Sequence, residues 1–197
     1  MEPKLFGKYD YKVEIRDPGL VRYINLRPVI LPHSHGRFEE KRFWKSKANI
    51  VERLIKHLMG AGHRGKKHLW SSKQTTGKFA KSYKIVKGTF QKIESKTKTN
   101  PLQVLVQAIE YSAPREEITT LGLGGRKVPK QVDSSPQRRV DLSLRWIVQG
   151  AFQKTVNKKT TIENTLANEI ISAAQNDPKS FSISKKIESE RQAAASR

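Results

Sequence analysis

The stretch ITTLGLGGRKVPKQV, residues 118–132, interrupts a chain whose other apolar patterns are mostly helical. β-Branched residues flank a glycine-rich centre, Gly122 to Gly125, and glycine supplies the positive φ that tight turns need. Pro129 restricts the second strand to a sheet edge, because proline cannot donate to a strand ladder. The stretch therefore predicts a β-hairpin arm at about residues 115–134. An isolated hairpin is marginal in water, so we expect a binding partner to support it.

Three helical patterns precede the hairpin, at residues 50–59, about 78–98 and about 101–113. Their apolar residues recur at spacings of three and four, which is typical of one buried helix face. Asn49 is a candidate N-cap for the first helix. Asn100-Pro101 supplies an N-cap and a first-position proline for the third, and Pro114 ends it.

Three more helical patterns follow the hairpin. Ser135-Pro136 opens a helix whose apolar face extends to Ala151. Residues 160–163 have the sequence of a capping box, which predicts the start of a fifth helix that ends before Asp177-Pro178. A final amphipathic helix is expected from about Ser184. The predicted fold is mainly α, a bundle of about six helices with a protruding two-stranded arm.

Residues 1–48 follow no regular helical pattern. The segment from Tyr11 to Ile15 alternates like a short strand, and Pro28, Pro32 and Gly36 then break any period. We expect an extended N-terminal segment that lies on another surface and does not build the core. The predicted organisation is this segment, 1–48, followed by a helical RNA-binding domain, 49–197.

The charge of the chain indicates a polyanionic partner. The 197 residues include 39 lysines and arginines against 18 acids, a net charge of +21. Seventeen of these cations and two acids lie between Lys41 and Lys98, interleaved with aromatic residues. Such a surface can neutralise phosphates and stack on exposed bases. Membrane-surface proteins concentrate charge on one amphipathic helix or a terminal cluster, so nucleic acid is favoured and no membrane is expected.

Several classes of protein are excluded by what the sequence lacks. It contains no cysteine, which excludes a disulfide scaffold, a cysteine-ligated zinc site and a thiol nucleophile. No stretch approaches the roughly 18 apolar residues of a membrane span. The first residues lack the basic and then apolar pattern of a secretory signal, so we expect an intracellular protein.

No catalytic or cofactor site is predicted. The segment from Gly60 to Lys67 nearly matches a phosphate-binding loop, but Lys67 replaces the hydroxyl that holds magnesium, and a helix precedes it where a strand is needed. The five histidines have no carboxylate at ligand spacing, so no metal is expected. Glu39-Glu40 and Glu116-Glu117 are adjacent pairs whose side chains point apart. We predict a protein without enzymatic activity and without a cofactor.

Two alternatives stay open at this point. The first is a DNA-binding regulator in which the helices beginning at Asn49 and Lys78 form a helix-turn-helix pair. About sixteen residues separate those helices, whereas that motif uses a turn of three or four. The second is a nuclease, although no carboxylate cluster is visible.

The region from residue 49 to the end resembles the S-seven family of small-subunit ribosomal proteins. The motifs that carry the resemblance occur in fixed order: Asn100-Pro101-Leu102, Ala108-Ile109-Glu110, Ala113-Pro114-Arg115, Gly124-Gly125, Val128-Pro129, Arg138-Arg139, Leu144-Arg145-Trp146-Ile147-Val148, Leu166-Ala167-Asn168-Glu169-Ile170 and Lys185-Lys186. The long N-terminal segment and the insertion at 62–77 are similar to the archaeal and eukaryotic branch.

The resemblance implies a structural protein of the cytoplasmic small ribosomal subunit. It implies binding to the 3′ major (head) domain of the small-subunit rRNA, a role in starting head assembly, and a position near the exit-site tRNA and mRNA. Neighbouring head and platform proteins are the other implied partners. The hairpin tip, Gly122 to Lys127, would approach the exit-site tRNA.

Charge and resemblance together predict a set of RNA contacts. Arg138 and Arg139 lie in the first turn of a helix, where the macrodipole disfavours cations, so an external anion is expected there. With Arg145, they match family arginines on the RNA side. The full predicted set is Lys41, Arg42, Lys45, Lys47, Arg64, Lys66, Lys67, His68, Lys73, Lys78, Arg126, Lys127, Lys130, Arg138, Arg139, Arg145, Lys185 and Lys186.

Overall fold

The computed structural model describes residues 3–62, 75–123 and 125–196. The α-helices of this part are α1 (Ile50–Met59), α2 (Phe79–Thr97), α3 (Pro101–Ser112), α4 (Pro136–Thr155), α5 (Ile162–Ala174) and α6 (Phe181–Ala194). A short 3-10 helix, Trp44–Lys47, precedes them, and strands β1 (Glu116–Leu123) and β2 (Arg126–Asp133) lie between α3 and α4. The mainly α fold with a hairpin arm is confirmed.

Two predicted N-caps are present. The Asn49 side chain accepts a hydrogen bond from the Val51 backbone N–H at 2.9 Å. The Asn100 side chain accepts one from the Leu102 backbone N–H at 3.0 Å, and Pro101 occupies the first turn. Each cap satisfies a donor that the helix itself leaves without a partner, which is why both helix starts could be predicted.

Two predictions about later helices are wrong in detail. The N-cap of α5 is Thr161, and its side chain makes no capping hydrogen bond, so residues 160–163 do not form a capping box. Glu163 instead accepts a hydrogen bond from Lys92 of α2 at 2.8 Å. Helix α6 begins at Phe181, three residues before the predicted start.

Helix α5 lies at the centre of the bundle and contacts α2, α3, α4 and α6. Its Leu166 and Ile170 are fully buried together with Phe90, Leu105 and Leu144 from the surrounding helices. Gly150 allows α4 to approach α6 closely, because a Cβ there would lie 2.6 Å from the Cβ of Phe181.

The N-terminal segment contributes to this same core. Leu5 and Leu20 are fully buried, and Ile24 and Tyr9 are nearly so, within one continuous apolar cluster. The Phe6 ring packs edge-on against Phe90, with the ring centroids 5.6 Å apart. The expectation that this segment would stay outside the core is therefore wrong.

Residues 10–17 form neither a helix nor the predicted short strand. Side chains of α3 bind their backbone instead. Asn100 donates to the Asp10 carbonyl at 2.9 Å, and Gln103 both accepts from the Glu14 N–H and donates to its carbonyl. Glu110 accepts from two successive N–H groups, those of Arg16 and Asp17. Helix α3 thereby supplies the hydrogen bonds that a neighbouring strand would provide.

The two strands of the arm pair antiparallel, from Glu116 opposite Asp133 to Leu123 opposite Arg126. Gly125 in the connecting turn has a φ of +82°, which favours glycine. The base of the arm contacts α6, and the Gln131 N–H donates to the Ser196 carbonyl at 3.2 Å. Helix α6 therefore supports the base of the arm, whereas support of the arm by a binding partner stays a prediction.

Candidate nucleic-acid interface

A cationic pocket lies between the end of α1 and the middle of α4. It has a volume of about 360 Å³ and is lined by Lys56, His57, Gly60 and Arg145, among others. No carboxylate is among the described residues that line it. Arg145 is exposed and has no carboxylate partner in the part of the chain that the structure describes. Residues 63–74, which form most of the insertion at 62–77, lie outside the described residues.

Asp141 of α4 organises the cations beside that pocket. Lys45 and Arg53 donate hydrogen bonds to its carboxyl group, and His57 Nε2 lies 3.9 Å from its Oδ1. Burial alone would raise the pKa of Asp141. The contacts from His57, Lys45 and Arg53 outweigh burial and hold the pKa of this carboxyl well below its ordinary value.

The segment 41–47 presents cations together with aromatic rings. The Lys41 and Lys47 ammonium groups lie 4.9 and 4.2 Å from the centre of the Trp44 ring. Arg42 lies 5.4 Å from the centre of the Phe43 ring, and Phe43 is 65% exposed. Cations held against aromatic faces are typical of surfaces that contact both phosphates and unpaired bases.

The arginine pair at the start of α4 is used within the chain. Arg138 Nε donates to the Glu117 carboxyl group of the arm at 2.7 Å and stays largely exposed. Arg139 Nη2 donates to Asp17 at 2.8 Å, and only 11% of its side chain is exposed. Arg139 therefore already has a carboxylate partner in the N-terminal segment, and the external anion that we predicted for this pair stays a prediction.

A second open pocket, of about 330 Å³, lies beside Arg139 and is also lined by Arg16, Arg115 and Lys186. Lys186 donates to the Tyr111 carbonyl at 2.9 Å. Burial lowers the pKa of the Lys186 ammonium. The charge of Glu190 raises that pKa, whereas the charges of Arg115 and Arg139 lower it further.

The remaining predicted contacts are separated over the surface. Lys78 and Lys130 are exposed, and Lys185 pairs with Glu188 of the same helix. Arg64, Lys66, Lys67, His68 and Lys73 lie outside the described residues, as do the side chains of Arg126 and Lys127. Among the described residues of the predicted set, Lys45 is bound to Asp141 beside the pocket that Arg145 lines, and Arg139 and Lys186 line a second pocket together. Lys41, Arg42 and Lys47 lie in the same short segment as Lys45.

The sequence interpretation missed Arg22 and Arg27. Both are exposed and line a cleft with Lys47, which is 20 residues or more away along the chain. Little in the sequence marks these two arginines as RNA contacts, because they lie in a stretch without periodicity that we expected to rest on another surface.

The described residues contain no group of three histidines, cysteines or acids that could hold a metal. His33 and His35 instead lie against each other, with ring centroids 4.0 Å apart, and His33 stacks on Phe79. Within the same residues, no helix combines the length and the apolar character needed to span a membrane.

The fold, a mainly helical body with a hairpin arm, and the exposed cations Arg145, Arg22 and Arg27 at open pockets are typical of a nucleic-acid-binding protein. Comparison with known proteins identifies the family. Residues 20–197 match the family described as "Ribosomal protein S7p/S5e". The chain is 52% identical over 198 residues to "Small ribosomal subunit protein uS7" of Nanoarchaeum equitans, with both proteins covered completely. It is 48% identical over 194 residues to the protein of that name from Archaeoglobus fulgidus, covering 98% of this chain and 94% of the relative.

The chain therefore belongs to the ribosomal protein S7p/S5e family. It is a structural, non-enzymatic component of the small ribosomal subunit, which is cytoplasmic, and it binds rRNA and serves translation. Both relatives are archaeal, which confirms the predicted branch. The match begins at residue 20, earlier than the resemblance that we recognised from residue 49. The family accounts for the basic charge of the chain, so neither of the two alternatives, a nuclease or a DNA-binding regulator, is needed to explain that charge.

Proposed function

We propose that this chain binds the 3′ major (head) domain of the small-subunit rRNA and nucleates assembly of the head. We further propose that its arm lies near the exit-site tRNA and mRNA, and that its remaining surface contacts neighbouring head and platform proteins. The membership of the family supports the RNA target, and the distribution of unpaired cations supports the position of the contact.

Arg145 carries the proposal most directly. It is exposed in the middle of α4, beside a pocket that Lys56 and His57 also line, and no described carboxylate neutralises it. Asp141, one helical turn away, is already bound by Lys45 and Arg53. An exposed guanidinium without an internal partner is suited to bidentate recognition of an RNA phosphate.

The cations of segment 41–47 extend this surface. Lys45 is bound to Asp141 near Arg145, whereas the ammonium groups of Lys41 and Lys47 lie against the Trp44 ring and have no ion pair among the described residues. Their ammonium groups are exposed and can replace counterions on phosphates. We infer that this surface supplies most of the non-specific electrostatic affinity, while the shape of the folded RNA supplies selectivity.

The arm is suited to reach beyond the main RNA contact. It is anchored at its base by α6, whereas Leu121, Val128 and Lys130, towards its tip, are exposed. Leu121 and Val128 are cross-strand partners and therefore share one face of the hairpin. A supported base and an exposed tip agree with an arm that projects towards tRNA and mRNA.

The RNA target is tested by competition among isolated domains of the rRNA. The full chain should bind the 3′ major domain at least tenfold more tightly than the 5′ or central domain at equal salt. Arg145→Gln should weaken binding to the 3′ major domain about ten- to hundredfold, since charge-assisted hydrogen bonds contribute about 1.5–3 kcal/mol. Arg191→Gln, an exposed arginine near the end of α6, is the matched control. Equal affinity for all three domains would overturn the proposal.

The position of the arm is tested separately by directed cleavage. The chain has no cysteine, so Thr120→Cys, at an exposed position of β1, provides one unique attachment site for a hydroxyl-radical probe. In assembled small subunits carrying exit-site tRNA, cleavage of that tRNA is expected. The same probe at Lys158→Cys, in the exposed turn after α4, should give a different pattern. Cleavage only of distant rRNA from position 120 would contradict the proposed position.

A further inference from the structure

An open cleft in the N-terminal region lies outside the surface around Arg145. It has a volume of about 420 Å³, within the range of roughly 300–1,000 Å³ that is typical of small-ligand sites. Val21, Ile24 and Phe38 contribute apolar surface to it, and Arg22, Arg27 and Lys47 contribute cations. No carboxylate is among the described residues that line it.

The frame of this cleft is fixed by hydrogen bonds. Asn25, at its centre, donates from its side chain to the Lys47 carbonyl and accepts from the Arg27 N–H at 2.9 Å. The Asn25 carbonyl accepts from the Ile50 N–H at 3.0 Å, which joins the cleft to the first turn of α1. Ile24 is only 3% exposed and anchors the floor in the core. A cleft held in this way requires little ordering when a ligand binds.

The cations of the cleft are not used inside the protein. Arg22 and Arg27 are exposed, and neither side chain has a hydrogen bond or ion pair in the described part of the chain. The Lys47 ammonium group lies 4.2 Å from the centre of the Trp44 ring and has no ion pair in the described part of the chain. Three neighbouring cations without a described counter-charge repel one another, so an anion that enters between them is stabilised.

The remaining feature of the cleft is an aromatic side chain. Phe38 is half-buried and does not belong to the apolar core, so its ring is available on the cleft side. Val21, 50% exposed, provides further apolar surface. A flat apolar surface next to several cations matches a nucleotide, whose base is apolar on its faces and whose phosphate is anionic.

We propose that this cleft binds one unpaired nucleotide of RNA, with the base against Phe38 and the phosphate held by Arg22 and Arg27. The proposal rests on the proposed function, because the RNA that supplies the nucleotide is the one bound at Arg145. A single-stranded segment is required, since a base within a duplex cannot present its face to Phe38. A protein partner fits less well, because three uncompensated cations would have to meet matching carboxylates.

The first test compares two double variants of the full chain that remove the same charge. Arg22→Gln with Arg27→Gln should weaken binding to the 3′ major domain about tenfold and reduce the salt slope by about 1 for each phosphate that is no longer neutralised. Lys12→Gln with Arg37→Gln, two exposed cations that line no described pocket, should change the affinity less than threefold. Equal weakening by the two pairs would overturn the proposal, since only net charge would then matter.

The second test separates stacking from charge. Phe38→Ala should weaken binding at least fivefold and leave the salt slope unchanged, whereas Phe38→Tyr should bind like the parent chain, because only the first substitution removes base–aromatic stacking. Far-ultraviolet circular dichroism of both variants should match the parent. If the parent chain binds the RNA, and both Phe38→Ala and the Arg22/Arg27 double variant bind it as tightly as the parent does, the cleft proposal fails and the proposed function stands. If the parent itself does not bind, the proposed function fails.

Discussion

Arg139 Nη2 lies 2.8 Å from Asp17 Oδ2, and this ion pair joins the first turn of α4 to the N-terminal segment across 122 residues of sequence. Only 11% of the Arg139 side chain and 24% of the Asp17 side chain are exposed. The Asp17 carboxyl also accepts from the Gly19 N–H at 2.9 Å, which fixes the turn at that position. The pair therefore holds the N-terminal segment on the helical body.

Asp17→Asn should destabilise the protein by about 1–3 kcal/mol, because it leaves a mostly buried guanidinium without its counter-charge. Urea unfolding at pH 7 measures the change. Asp10→Asn is the control, since Asp10 pairs with Lys4 at a site where both side chains are more than half exposed, and exposed pairs contribute little. Equal effects of the two substitutions would contradict the role that we assign to Asp17.

The N-terminal segment should be folded in the isolated protein. Leu20 is fully buried, so Leu20→Ala should cost about 2–5 kcal/mol. The next residue, Val21, is 50% exposed, and Val21→Ala should cost less than about 0.5 kcal/mol. Denaturant unfolding of the free protein gives both values. A negligible effect of Leu20→Ala would mean that the segment is ordered only in the assembled subunit.

Asp141 should make the stability of the protein depend on pH. Its pKa is depressed in the folded state, so its contribution is fully present above the ordinary carboxyl pKa. That contribution is lost as the pH falls from about 5 through the folded pKa. Asp141→Asn should cost about 3–5 kcal/mol at pH 7, since Arg53, with 4% of its side chain exposed, loses its charge partner.

The measurement is urea unfolding from pH 7 down to pH 3 for the parent and for Asp141→Asn. The difference in the free energy of unfolding should shrink as the pH falls. A difference that stays constant over this range would show that charge on Asp141 is not the cause.

Gly150 should tolerate no side chain while Phe181 is present. Alanine favours a helix interior by about 1 kcal/mol over glycine, but its Cβ would overlap the Phe181 Cβ. We expect Gly150→Ala to destabilise by about 1–3 kcal/mol, a typical cost of overpacking. In a Phe181→Gly background, which removes that Cβ, the same substitution should cost clearly less. An equal cost in both backgrounds would place the conflict elsewhere, for example with Glu169.

The helix positions were predictable because their signals are local. Asn49 and Asn100 cap helices within two residues of their own position, and the apolar spacing of each helix is contained in its own sequence. The capping box at 160–163 failed because the helix begins one residue later, after Thr161, and because Glu163 pairs with Lys92 of α2, a contact that a local pattern does not show.

The core role of the N-terminal segment was not predictable in the same way. Leu5, Leu20 and Ile24 are single apolar residues in an aperiodic stretch, and their burial depends on where α1 and α2 lie. The RNA contacts, likewise, could be predicted from the sequence only in part. Charge density pointed correctly to RNA, but only the fold shows that Arg139 is paired internally and that Arg22, Arg27 and Lys47 share a cleft.

If the exposed cations of this protein bind RNA by displacing counterions, the affinity must depend steeply on salt. If the chain neutralises six to ten phosphates of the 3′ major domain, its affinity should fall by about 10³–10⁵ between roughly 50 and 200 mM salt. Arg145→Gln should lower the slope of log affinity against log salt by about 1. An affinity that stays flat over this range, or a slope unchanged by Arg145→Gln, would contradict the account.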